Sequence, residues 1–93
     1  MADLQQAYRP TANAVATEVA GEAVVLNAKT EFYFSLNETG TVAWAIFGKG
    51  GSGADAVDAI CERYEAPREQ VEQDVGQLIE RLLEAGLLEP SSP

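Results

Sequence analysis

The residues that most often carry out catalysis or bind metals are almost absent from this chain. It contains no histidine and one cysteine, Cys61, so the commonest general base and the commonest metal ligand are missing. One cysteine without histidine also excludes a zinc site of the usual ligand types. Cys61 lies in a helical apolar pattern, which predicts a buried thiol and not a nucleophile. We therefore expect no catalytic residue, no metal site and no cofactor.

The remaining polar residues fit two other chemical classes poorly. Acidic pairs such as Glu62 and Glu65 are typical of a solvated helix face, whereas catalytic carboxylates need a cleft that perturbs their pKa. An acyl carrier protein is all-helical and needs an Asp-Ser-Leu motif at a helix start. Here Ser35 lies in an aromatic stretch and Ser52 lies in a glycine-rich loop. The sequence therefore disfavours both a carboxylate hydrolase and a carrier protein.

The charge of the chain limits its partners. Fifteen acidic and six basic residues give a net charge of −9, which repels phosphates and anionic lipids over a Debye length of about 8–10 Å. The basic residues are scattered, whereas nucleic acid binding needs them clustered. No apolar run approaches the ~20 residues of a membrane span, and the first residues lack the pattern of a secretory signal. We expect a cytoplasmic protein that binds neither nucleic acid nor membranes.

Apolar patterning predicts a three-stranded antiparallel sheet in the first half of the chain. Residues 14–19 alternate with the period of a strand that has one buried face. Residues 23–26 form a second apolar run after a turn at Gly21, and residues 31–36 form a third strand that is rich in aromatics. The short turns between these strands favour an antiparallel meander.

Three helices are predicted to follow the sheet. Asn37 can cap the first helix, which continues through Phe47 with apolar residues on most of its circumference. Ser52 and Asp55 resemble a capping box at the start of the second helix. The third helix covers residues 67–85, between a proline and a glycine. The element order predicts an α+β fold.

The apolar arc of the third helix is wider than its own packing requires. Its apolar residues spread over an arc of roughly 140°, whereas a surface helix needs about 100°. These residues are Val71, Val75, Leu78, Ile79, Leu82 and Leu83. Two interpretations remain open: the helix packs against two other helices, or part of the arc lines a groove beside the sheet.

The element order and one string of residues resemble the PqqD family of peptide-recognition elements. The string runs from Phe32 to Trp44 and contains an aromatic strand ending in Leu-Asn, a Thr-Gly pair and a helix with a tryptophan. The matching positions are Tyr33, Leu36-Asn37, Thr39-Gly40, Trp44, Tyr64, Asp74-Val75 and the segment from Leu82 to Leu88. The resemblance covers about residues 14–89.

The resemblance implies a winged-helix-like fold, in which a three-stranded antiparallel sheet precedes a three-helix bundle. Members of this family recognise ribosomally made peptides that are modified after translation (RiPPs). The leader segment of the precursor adds to the third strand of the sheet, and its side chains enter a cleft against the third helix. The precursor thereby reaches a separate enzyme. The expected partners are a leader peptide and a modifying enzyme, either a radical SAM enzyme in quinone-cofactor biosynthesis or a leader peptidase in lasso-peptide pathways.

The expected peptide-binding residues lie on the third strand and the third helix. An exposed strand edge offers unpaired N–H and C=O groups to any added strand, so specificity must come from pockets for alternate side chains. Glu31 and Asp74 are candidates to pair with a basic leader residue, whereas Trp44, Leu36 and Ile46 are expected in the core. The full expected set is Thr30, Glu31, Phe32, Tyr33, Phe34, Val71, Asp74, Val75, Leu78 and Leu82.

The expected domain organisation has three parts: a flexible N-terminal arm at residues 1–12, a peptide-binding domain at residues 13–89 and a disordered tail at residues 90–93. A winged helix that binds nucleic acid and a generic protein-interaction adaptor remain alternatives. The second helix argues against nucleic acid, because it carries three acidic residues and one basic residue.

Overall fold

The computed structural model describes residues 2–91 and contains five strands and three helices. The strands are β1 (Tyr8–Pro10), β2 (Ala14–Val19), β3 (Glu22–Asn27), β4 (Tyr33–Ser35) and β5 (Leu88–Pro90). The helices are α1 (Glu38–Gly48), α2 (Gly53–Arg63) and α3 (Arg68–Glu84). The sheet followed by three helices confirms the predicted α+β order. Within residues 2–91, no helix is long and apolar enough to cross a bilayer.

The main sheet is antiparallel, with the strand order β2-β3-β4. The turn between β2 and β3 has two residues, Ala20 and Gly21, both with positive φ. This backbone conformation is that of a type I′ hairpin turn, whose twist matches the twist of the strands that it joins. The structure thus confirms the predicted turn at Gly21, and it places β4 at one edge of the sheet.

Strand β2 has the predicted bounds but not the predicted buried face. Val15 and Val19 are 54% and 64% exposed, and every other side chain of the strand is exposed except Ala14, which is half-buried. Within the described residues β2 pairs with β3 alone. Alternation identifies a strand, but it does not reveal whether another element covers either face. Here the helices cover neither face of β2 beyond the half-buried Ala14.

Side-chain caps begin α1 and α2, as predicted. The Asn37 side-chain carbonyl accepts a hydrogen bond from the Gly40 N–H at 2.8 Å. Ser52 and Asp55 form a capping box, in which each side chain accepts the other residue's backbone N–H at 3.0 Å. Such caps satisfy N–H groups that have no partner within the helix. Asn37 therefore fixes the point at which the chain leaves β4 and enters α1.

The core lies between the three helices and the inner face of β3. Phe47 of α1 and Leu82 of α3 are fully buried, together with Val25 of β3. The Phe47 ring contacts Tyr8 edge to face, with 6.0 Å between the ring centroids. The core therefore joins the sheet, the helices and the N-terminal segment.

The three residues expected in the core are buried to different extents. Leu36 is buried, whereas Trp44 and Ile46 are half-buried and pack against the core from its edge. Because α1 is apolar around most of its circumference, its periodicity could not identify the inward face. Phe47 and Ala43 occupy that face.

The N-terminal segment is part of the fold, whereas the sequence suggested a flexible arm. Strand β1 pairs antiparallel with β5, and Tyr8 is 3% exposed. Three-residue strands that pair across about 80 positions give no periodic signal, so the sequence could not predict this second sheet. Pro90, expected in the tail, ends β5. Residue 1 and residues 92–93, which belong to the expected arm and tail, lie outside the described residues.

Replacing Phe47 with alanine should lower the free energy of unfolding by about 3–5 kcal/mol, because the change leaves a large cavity in the core. Urea unfolding followed by circular dichroism measures this loss. Trp44→Ala is the matched control and should cost less, because Trp44 is only half-buried. A larger loss for Trp44→Ala would contradict this description of the core.

Stability should fall at alkaline pH, in part through Tyr8. Burial raises the pKa of the Tyr8 hydroxyl above its ordinary value of 10.0, and the nearby Asp3 carboxylate adds to the increase. The folded state thus favours the protonated phenol. Its contribution to stability is complete below pH 10 and is lost as the pH rises through the folded-state pKa. Urea unfolding between pH 8 and about pH 11 should show that the free energy of unfolding falls less for Tyr8→Phe than for the original chain. An equal fall in the two proteins would mean that Tyr8 does not contribute to the pH dependence.

Candidate peptide-binding site

The outer edge of β4 carries backbone groups that β3 does not satisfy. The Leu36 N–H donates to the Ala23 carbonyl at 2.7 Å. The backbone N–H and C=O groups of Leu36, and of every second residue before it, therefore point toward β3. The alternation of an antiparallel ladder turns the N–H and C=O groups of Tyr33 and Ser35 away from β3. No other strand of residues 2–91 pairs with this edge. The edge is therefore open to an added strand.

The open edge is shorter than the sequence suggested. Glu31 has a positive φ of 66°, and its N–H donates to the Asn27 carbonyl at 2.7 Å in the turn before β4. Thr30 lies in the same turn. Phe32 continues the ladder, because its carbonyl accepts the Asn27 N–H at 2.8 Å. Of the backbone expected to pair with a peptide, only residues 32–34 extend along β3.

Asn27 positions β4 beside α3, a role that the sequence analysis missed. This side chain is 4% exposed. Its Nδ2 group donates to the Ala85 carbonyl at 2.9 Å, just beyond α3, and its Oδ1 atom accepts the Lys29 N–H at 2.9 Å. Buried polar groups need such partners. An asparagine next to a turn is too common to reveal this role from sequence alone.

Two cavities separate β4 from α3. The larger has a volume of about 440 Å³ and lies where β4 ends and α1 begins. Its apolar floor is formed by Leu36, Ala43, Ile60, Val71 and Val75. Its exposed polar rim includes Gln70, Asp74, Gln77 and Arg81. The cavity therefore fits an apolar side chain whose neighbours remain near polar groups.

The smaller cavity has a volume of about 340 Å³ and lies near the start of β4. Phe32 and Phe34 line it, and the centroids of their rings are 5.2 Å apart. Arg81, Glu84 and Ala85 form the opposite side. Phe32 is 55% exposed, which leaves a large apolar surface beside the open edge. We call the two cavities together the β4–α3 groove.

The expected residues of α3 occupy different parts of this groove. Val71 and Val75 line the larger cavity but are only 5% and 2% exposed, so they also belong to the core. Leu78 lines the same cavity and is half-buried. Asp74 is on the rim, where its carboxylate accepts a hydrogen bond from Gln70 at 3.0 Å. The wide apolar arc of α3 thus serves both the core and the groove.

Three other expected residues lie apart from the cavities. Leu82 is fully buried and lines neither one. Glu31 is exposed in the turn before β4 and also lines neither. Tyr33 lies in register with Leu26, on the sheet face that points away from the helices, and is 63% exposed. Tyr33 therefore offers its backbone to the groove, but not its ring.

The walls of the groove present apolar, hydroxyl, amide, carboxylate and guanidinium side chains. Cys61, predicted to be buried, is half-buried in α2 and lines neither cavity. In the described part of the chain, no group of three or more His, Cys, Asp or Glu side chains is arranged to hold a metal ion. What the geometry provides is backbone hydrogen bonding beside apolar pockets.

Comparison with protein families identifies the chain. The family model for coenzyme PQQ synthesis protein D (PqqD) matches residues 22–88, which include β3, β4 and all three helices. The chain belongs to the PqqD family. The matched segment contains both walls of the β4–α3 groove.

Two solved structures resemble this PqqD-family chain over most of its length. One is TbiB1 in complex with the TbiA(beta) leader peptide, with a TM-score of 0.80 and 29% identity over 91% of this chain and 99% of TbiB1. The other is a lasso peptide synthetase B1 complexed with the leader peptide, with a TM-score of 0.77 and 25% identity over 89% of this chain and 98% of that protein. A search of curated proteins by sequence finds no match.

The burial of Val75 and Leu78 predicts different effects on stability. Val75→Asp places a charge in the core without a partner and should lower the free energy of unfolding by several kcal/mol. Leu78→Asp should cost less than half as much, because the half-buried side chain borders the open cavity. Urea unfolding of both variants measures the difference. Equal losses would mean that Leu78 is a core residue and not part of the groove wall.

Proposed function

We propose that this PqqD-family chain is a non-catalytic recognition protein that holds the leader segment of a ribosomally made precursor peptide. The observation that carries the proposal is the open edge of β4 beside the two cavities. The similarity to B1 proteins that were solved with leader peptides supports the same function. The bound precursor would then reach a separate modifying enzyme, such as a leader peptidase or a radical SAM enzyme, in the cytoplasm.

The backbone of β4 supplies affinity that does not depend on the peptide sequence. The outward N–H and C=O groups of Tyr33 and Ser35 offer two donors and two acceptors to an extended peptide. Each hydrogen bond of this kind contributes about 0.5–1.5 kcal/mol after the loss of bonds to water. Four such bonds alone give only weak binding once the cost of ordering the peptide is included.

The cavities supply the remaining affinity and the specificity. A strand added to β4 directs alternate side chains toward the helices, next to Phe34 and its same-face neighbours. These side chains enter the cavities and cover the exposed ring of Phe32. Burial of a large apolar side chain contributes about 1.5–3 kcal/mol. Two filled pockets would therefore contribute about 3–6 kcal/mol, which is comparable to the contribution of the four backbone bonds, and would decide which peptide binds.

The second free edge of the sheet is a weaker candidate. Strand β2 also has an unpaired side, but all of its side chains except that of Ala14 are exposed. Neither of the two cavities reaches β2. A peptide on that edge would gain hydrogen bonds without pockets, so its sequence would not be read. We therefore assign recognition to β4.

Peptide binding should depend on the outward N–H of Ser35. Binders would be selected from a phage-displayed library of random 12-residue peptides, synthesised with a fluorophore and titrated by fluorescence anisotropy. Ser35→Pro removes this donor at a sheet edge, where proline is tolerated. The lost hydrogen bond contributes about 1 kcal/mol, so the variant should bind the peptide roughly fivefold more weakly.

Two variants are matched controls for this titration. Ser35→Ala keeps the N–H, although Ser35 also lines the larger cavity, and it should weaken binding less than Ser35→Pro does. Ala16→Pro makes the same change on β2, where the Ala28 N–H donates to the Asn13 carbonyl and the alternation directs the Ala16 N–H away from β3. It should leave affinity unchanged. A selection without binders, or equal losses for Ala16→Pro and Ser35→Pro, would contradict the proposed function.

A further inference from the structure

Arg81 is the cation at the centre of the β4–α3 groove. It lines both the larger and the smaller cavity, and its side chain is exposed. Arg9 and Arg68 form ion pairs with carboxylates, but the Arg81 guanidinium has no ion pair or hydrogen bond with another residue in the range 2–91. A guanidinium placed in this way is available to a ligand.

The register of β4 indicates which peptide residue would meet this cation. Peptide side chains that face the helices lie opposite Phe32, Phe34 and Leu36, because these residues share the inner face of the strand. Phe32 and Phe34 line the smaller cavity, and Leu36 lines the larger one. The position opposite Phe34 therefore lies between the cavities, next to Arg81. The next peptide side chains that face the helices are two residues away in each direction, at a distance of about 6.6–6.8 Å along the strand.

The charges along α3 favour an acidic residue at this central position alone. Asp74 lines the larger cavity and Glu84 lines the smaller one. Along the helix axis these residues lie about 10 Å and about 4.5 Å from Arg81, on opposite sides. A peptide carboxylate at either flanking position would meet a like charge. The overall charge of −9 opposes acidic peptides weakly, because distant charges are screened beyond about 8 Å at physiological salt.

We infer that Arg81 selects peptides that carry an Asp or Glu side chain between two apolar residues, in the pattern apolar-x-acidic-x-apolar. The apolar residues fill the two cavities, and the carboxylate accepts charge-assisted hydrogen bonds from the guanidinium fork. Because this pattern is the same in both directions, it holds for a parallel or an antiparallel peptide. The inference rests on the proposed function and adds the chemical class of the peptide.

The test uses the peptides selected from the random library. Their aligned sequences should show Asp or Glu with apolar residues two positions away on each side. A consensus peptide is then synthesised with Asp, Asn or Lys at the central position, and each form is titrated against the original chain. The Asp form should bind about tenfold more tightly than the Asn form, which is typical of a hydrogen bond to a charged group.

Reversal of the charge on Arg81 should reverse the preference. Arg81→Glu should bind the Lys peptide more tightly than the Asp peptide. Lys49→Glu makes the same change in net charge at an exposed residue outside both cavities, and it should keep the preference for Asp. Urea unfolding confirms that both variants are folded.

Two results would overturn the inference and leave the proposed function intact. In the first, selected peptides bind at β4 but the Asp, Asn and Lys forms bind equally well. In the second, Lys49→Glu changes the preference as much as Arg81→Glu does, which would show that net charge and not contact sets it. A selection without any binder would instead reject peptide recognition itself, and this inference with it.

Discussion

Backbone hydrogen-bonding groups along one edge of β4 point away from the sheet, and the candidate site is built around them. Backbone N–H and C=O groups need partners, and in a folded domain nearly all of them find partners within the chain or in water. At the outer edge of β4 no strand of the described chain supplies them. Small proteins usually protect such an edge with charge, bulges or a covering segment, because it invites pairing with another chain. Here the open edge lies beside two cavities that are partly apolar, and in the proposed function these cavities would make the pairing selective.

The geometry of the groove is set by a few contacts that hold β4 and α3 apart at a fixed spacing. Asn27 connects the turn before β4 to the carbonyl of Ala85 at the end of α3. At the other end of β4, the Asn37 cap determines where α1 begins. The helix wall is anchored by Val71 and Val75, which are also core residues. These contacts keep β4 and α3 in place on the two sides of the groove. For the proposed function, a site held in place would lower the cost of binding a peptide.

The sequence predicted the main elements well, because each has a local physical signal. Alternation identified β2, the Asn37 cap identified the start of α1, and apolar periodicity identified α3. What the sequence could not predict depends on contacts between distant residues. The pairing of β1 with β5 and the hydrogen bonds of Asn27 are not periodic. For the candidate site, the strand and the helix expected from the sequence border the two cavities. Periodicity could not separate Val75, which also serves the core, from the half-buried Leu78, or show that Arg81 lines both cavities.

Amide hydrogen exchange, measured by nuclear magnetic resonance, shows whether a peptide completes the sheet at β4. In the free chain the N–H groups of Tyr33 and Ser35 face away from β3, so they should exchange rapidly. Saturation with a selected peptide should slow exchange at both residues and leave the edge of β2 unchanged. Unchanged exchange at Tyr33 and Ser35 in the saturated complex, or new protection along β2 instead, would rule out strand addition at β4.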